Sequence, residues 1–80
     1  MRVVREFLRP ECKVTIFQWN GKYLIKLEKG LIEQTFKVPE LDISSEKDLD
    51  AILSEEFMKS AAQRFTEMMQ ALQKAMQDVI

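Results

Sequence analysis

The sequence predicts an α+β fold: a three-stranded antiparallel β-meander, with a fourth strand offered by the N-terminal residues, backed on one face by a long C-terminal α-helix. Three observations carry this. Residues 13–38 form three runs of strand-forming residues, separated by Asn20-Gly21 and Lys29-Gly30. The apolar residues of those runs alternate with period two. Residues 55–80 instead repeat theirs with the period of a helix and contain no Gly or Pro.

Residues 1–12 admit two readings. Val3, Val4, Phe7 and Leu8 have helical spacing, but a nine-residue helix is marginal by itself. Two β-branched residues and the stop at Pro10 fit an edge strand or ordered arm, the reading favoured here.

Asn20-Gly21 tolerates the positive φ that both central positions of a type I′ turn require. That turn sets Trp19 opposite Lys22, Phe17 opposite Leu24, Thr15 opposite Lys26 and Lys13 opposite Glu28. On the other face Gln18 meets Tyr23, Ile16 meets Ile25 and Val14 meets Leu27. Lys29-Gly30, taken as a second two-residue turn, sets Leu27 opposite Ile32, Ile25 opposite Gln34, Tyr23 opposite Phe36 and Lys26 opposite Glu33. Both registers gather Val14, Ile16, Tyr23, Ile25, Leu27, Ile32, Phe36 and Val38 on one face, broken only by Gln18 and Gln34. The opposite face holds Lys13, Thr15, Phe17, Trp19, Lys22, Leu24, Lys26 and Lys37, with Glu28, Leu31, Glu33 and Thr35.

Residues 39–54 read as an acidic connector with a short helix. Pro39 ends the third strand because it cannot donate to a ladder. Leu41 and Ile43 are expected to dip towards the core. Ser45-Glu46-Lys47-Asp48 resembles a capping box with Asp for Glu, opening a helix that ends near Leu53. Ser54-Glu55-Glu56 is a second start, with carboxylates where the helix dipole favours them. Two helices meeting at Ser54, or one long helix bent there, both satisfy the pattern.

From Glu55 onward, Phe57, Met58, Ala61, Ala62, Phe65, Met68, Met69, Leu72, Ala75, Met76, Val79 and Ile80 fall within an arc of about 140°. Lys59, Gln63, Arg64, Glu67, Gln70, Lys74, Gln77 and Asp78 lie opposite. Such a helix runs about 39 Å, against about 24 Å for a seven-residue strand. The surplus leaves Met69, Leu72, Met76, Val79 and Ile80 without a sheet beneath them, and these form the expected homodimer interface.

Composition bounds what such a chain can do. Eighty residues, 46% hydrophobic and 31% charged, describe one folded domain rather than a disordered chain. One cysteine, Cys12, excludes an internal disulfide. With no apolar run of eighteen residues and no leader pattern, the expected location is the cytoplasm, with no membrane partner. Net charge is −1, but residues 1–39 carry eight Lys/Arg against four Asp/Glu, and residues 40–80 four against nine. That asymmetry suits either a nucleic-acid contact or attraction between the two halves.

Chemistry-bearing motifs are scarce. There is no His to serve as base for a nucleophile, and both glycines are used in turns, so no catalytic residue or cofactor is expected. Cys12 reads as an ordinary thiol at a strand edge. Asp42, Ser44, Glu46, Asp48 and Asp50 have the alternate spacing of a calcium loop. However, Lys47 occupies the glycine position and Leu53 that of the closing Glu, so no metal is expected. The helix methionines fit a core better than an adaptable binding surface.

The expected function is therefore that of a non-enzymatic interaction module, homodimeric through its helix and binding a protein partner. The alternative is single-stranded nucleic-acid binding on Lys13, Thr15, Phe17, Trp19, Lys22, Leu24, Lys26 and Lys37, where aromatic platforms lie among cations. Strands followed by a helix behind the sheet resemble the arrangement of Whirly-type and Pur-type single-strand binders, a likeness of architecture that carries no residue motif.

Overall fold

A computed structural model describes residues 1–79; Ile80, the last of the expected interface residues, lies outside the described residues. Four strands form one antiparallel sheet in chain order: β1 (Arg2–Leu8), β2 (Lys13–Trp19), β3 (Lys22–Lys29) and β4 (Ile32–Pro39). A 3-10 turn at Glu40–Asp42 leads to α1 (Glu46–Ile52) and then α2 (Glu55–Gln77). The fold is α+β, and the N-terminal residues do supply the fourth strand.

The β2–β3 hairpin has the predicted register throughout, from Trp19 opposite Lys22 to Lys13 opposite Glu28. Asn20 and Gly21 take φ of 54° and 77°, as a type I′ turn demands.

The β3–β4 register departs from expectation. Its turn is Gly30-Leu31, so Lys29 faces Ile32, Leu27 faces Gln34, Ile25 faces Phe36 and Tyr23 faces Val38. Only Gly30, at φ 61°, is left-handed here. A glycine at the first central position is the type II′ arrangement, and it spares Lys29 the cost of positive φ. Each pairing moves by two residues, which preserves every residue's face. Lys26 thus lies opposite Thr35, and Glu28 lies opposite Glu33. Lys26 bridges the two carboxylates, 3.2 Å from Glu33 and 3.9 Å from Glu28. Lys13, although opposite Glu28, pairs instead with Glu6 of β1 at 3.1 Å.

β1 joins β2 with a register shift between Val3 and Arg5. The extra residue, Val4, breaks the alternation that would have marked this strand in the sequence. Beyond the bulge, Arg5 and Phe7 share a face with Ile16 and Val14.

The core forms where this inner face meets the helices. Val14, Ile16, Ile25 and Leu27 are fully buried, with Leu49 of α1 and Met58 and Ala61 of α2. Each large aliphatic side chain removed from water this way contributes about 1.5–3 kcal/mol. α1 lies towards β1: Arg5 bonds Asp50, and Arg9 donates to the Leu53 carbonyl at 3.3 Å. Two helices, not one bent helix, cover the sheet. Ser54 caps α2, its Oγ accepting from the Phe57 N–H at 3.1 Å.

The capping box expected at Ser45 does not form. Ser45 makes no side-chain cap, and Asp48 accepts from the Ser44 N–H at 2.6 Å instead. Ile43 packs against the core as expected, but Leu41 is 99% exposed. In the 3-10 turn, Leu41 points away while the Ile43 N–H bonds back to Glu40.

Candidate functional site

Two surfaces are left uncovered, and the way α2 docks determines both. Phe57 stacks edge-on against Phe36 with ring centres 5.2 Å apart. Ala61 accepts from Gln34 through its carbonyl at 3.0 Å. Phe65 borders a groove with Ile32. These contacts run down β4 as they run up α2, so helix and strand are antiparallel and aligned. Gln34, an interruption in the apolar face of the sequence, is thereby the polar link between layers. Arg64 reinforces it, donating to Gln34 Oε1 at 2.9 Å and to Ser60 Oγ at 2.7 Å while lying over Phe36 and Phe57. The sequence places Arg64 on the polar side of the helix. Its long stem lets it fold back over the aromatic pair.

The first surface is the continuation of α2. The apolar stripe packs from Phe57 to Met69, and from Gln70 onward every described residue is exposed. Leu72 and Met76 are each 42% exposed and Val79 is 83% exposed. Of the expected interface residues, Met69 is half-buried at the last point of contact with the core. Beside it, where α2 passes the β3–β4 turn, lies an open and mainly apolar groove of about 510 Å³, lined by Lys29, Gly30, Ile32, Phe65, Thr66, Met69 and Gln70. No sequence signal marks this groove, because it depends on the angle at which the helix leaves the sheet.

The projection shows in the shape. The radius of gyration is 14.4 Å, where a compact 80-residue chain has about 12 Å. The accessible surface is 5781 Å², where a compact monomer of 9.4 kDa exposes about 5,000 Å².

The second surface is the outer face of the sheet, opposite the face on which the described helices pack. The structure brings all eight predicted residues to this face but does not leave all of them accessible. Thr15 and Leu24, at its centre, are buried by their neighbours without joining the main core. Trp19 is 49% exposed and Phe17 is half-buried. Lys13 and Lys26 are held in ion pairs with glutamates. Lys22 and Lys37 have no carboxylate partner among the described residues. Sequence reading missed the part of β1: Val3 sits opposite Phe17, and Glu6 opposite Thr15. The patch is therefore more apolar and less basic than the meander suggests.

Other polar groups are occupied locally. Asp48 and Asp50 of the acidic run bond Ser44 and Arg5. Cys12 is buried, and burial first, then the Glu11 charge, pushes its thiol above the ordinary value. No helix among the described residues is long and apolar enough to cross a membrane. Comparison with protein-family models, with curated proteins and with solved structures finds no match.

Proposed function

We propose that this chain is a non-enzymatic interaction module that forms a homodimer through the projecting half of α2 and offers its sheet to a macromolecular partner. One observation carries the reading. The stripe that seals the core over Phe57–Met69 continues as Leu72, Met76 and Val79 into solvent, beside an open apolar groove. The elongated chain exposes about 800 Å² more surface than a compact monomer of its mass, of the same order as the roughly 800 Å² that each partner buries in a standard interface. The chemistry suits a second copy: residues 68–79 hold one Lys and one Asp, so two such faces meet with little charge repulsion.

Light scattering at high micromolar concentration tests this. The expected particle exceeds a monomer, and Leu72→Glu or Met76→Glu reduces it by placing a carboxylate in the interface. A wild-type monomer at that concentration would sink the proposal.

A second reading, single-stranded nucleic acid on the outer face, draws on Trp19 beside Lys22, which has no carboxylate partner among the described residues, with Phe17 as a second platform. Titration with single-stranded oligonucleotides at low salt would then quench the tryptophan and lose that effect as salt rises. Unchanged Trp19 emission counts against it.

A further inference from the structure

From the free edge of β4 we infer a second self-association site, in which two copies pair β4 with β4 about Thr35 and so extend the sheet. The sheet has two edges, β1 and β4. β1 is interrupted by its bulge, a common protection against edge pairing. β4 pairs with β3 without a register shift from Ile32 to Pro39, so its other side is an edge without a bulge.

The turn determines which groups that edge presents. In a two-residue hairpin the closing pair, here Lys29 and Ile32, exchanges both main-chain hydrogen bonds. Alternation then commits Ile32, Gln34, Phe36 and Val38 to β3. Glu33, Thr35 and Lys37 point their N–H and C=O groups outwards, and all three are exposed. Pro39, next in that series, has no N–H to leave unpaired.

The side chains select the occupant and the register. In an antiparallel pair centred on Thr35, the two threonines face each other, and each Glu33 faces Lys37 of the second copy. Threonine pairs and opposite charges are both favourable across strands. Centring on Glu33 or on Lys37 instead sets like charges face to face. The remaining alternatives, centred on Gln34 or Phe36, pair no charges at all. Lys37 has no carboxylate partner within the chain among the described residues, and Glu33 has only Lys26, at 3.2 Å. A second copy thus brings Lys37 a carboxylate that its own chain does not supply among the described residues, and brings Glu33 a second cation beside Lys26.

The contact is short, so association is weak and rises with concentration. It also lies along β4, whereas the bare half of α2 extends past the Gly30-Leu31 turn. The two sites are therefore independent, and a chain using both assembles beyond a dimer.

A charge exchange tests the inference without relying on the helix interface. All measurements use the full chain carrying Leu72→Glu and Met76→Glu, at matched concentration, by analytical ultracentrifugation, with circular dichroism confirming that each variant is folded. That background is expected to show a monomer–dimer equilibrium. Adding Lys37→Glu weakens it about tenfold or more, because two attractive pairs become repulsive. Adding Glu33→Lys instead does the same. An equimolar mixture of these two variants restores dimers, now mixed ones, since the two carboxylates on the edge of one variant face the two ammonium groups on the edge of the other. A background that stays monomeric at high micromolar concentration overturns the inference, as does a mixture no more associated than its components. Neither result bears on the helix dimer, which the effect of Leu72→Glu on the wild-type chain decides.

Discussion

Replacing Gln34 by Leu would test what holds α2 on β4, and hence where its bare half emerges. Gln34 is buried, donates to the Ala61 carbonyl at 3.0 Å and accepts from Arg64 Nε at 2.9 Å. Leucine has a similar volume, so the cavity term is small. The Ala61 carbonyl keeps its helical partner, so no buried acceptor is orphaned. The loss is one neutral hydrogen bond, about 0.5–1.5 kcal/mol, and one to a charged donor, about 1.5–3 kcal/mol. The second figure is discounted because Arg64 is only half-buried and retains Ser60. A leucine in apolar surroundings returns part of the remainder. The expected net cost is about 1–2 kcal/mol, and each kcal/mol lowers the melting temperature of a domain this size by about 4–8 °C. Urea unfolding at one fixed protein concentration measures it, since the proposed self-association would add to apparent stability. A double-mutant cycle with Arg64→Met should give a coupling of about 1 kcal/mol. A Gln34→Leu variant as stable as the wild type, with coupling below about 0.3 kcal/mol, would refute the account of Gln34 as the link between layers.

Gly30→Ala should cost about 1–2 kcal/mol although nothing lies within 4 Å of the added carbon, since φ there is +61°. Gly30→Asn should recover part of the loss in thermal melts, and equal losses would argue against a conformational origin. Lys26→Met leaves Glu28 facing Glu33 and should destabilise by about 0.5–1 kcal/mol, an effect that shrinks as salt is raised. A salt-independent loss would mean that packing of the lysine stem matters more than its charge. For Cys12, burial and then Glu11 raise the thiol above its ordinary value of 9.0. A raised acid leaves stability untouched below that value and erodes it as pH climbs above, because the unfolded thiol ionises first. The wild type should therefore lose stability faster than Cys12→Ala in alkaline urea titrations, and parallel pH profiles would contradict the burial argument.

Much of the fold was legible in local sequence, and the exceptions are instructive. The β2–β3 register followed from Asn20-Gly21 because one turn type suits that dipeptide so well. Lys29-Gly30 and Gly30-Leu31 differ less in local cost, and the choice between them also depends on how β4 meets the helix. β1 was obscured because its bulge at Val4 mixes two alternations. The eight residues assigned to the outer face do share it, but which of them water can reach depends on side chains from neighbouring strands.

What the chain determined without its tertiary structure is which residues face together. Period-two alternation divides the sheet into an apolar and a mixed face, Ser54 opens the long helix, and a 100° repeat draws a continuous stripe from Phe57 to Val79. These properties rest on neighbours in sequence. The tertiary structure alone decided where that stripe stops being useful to the monomer. Gln34 and Arg64 align α2 with β4, the sheet ends at the Gly30-Leu31 turn, and Leu72, Met76 and Val79 are carried beyond it. That outcome depends on contacts between residues about thirty positions apart, and no local repeat encodes them.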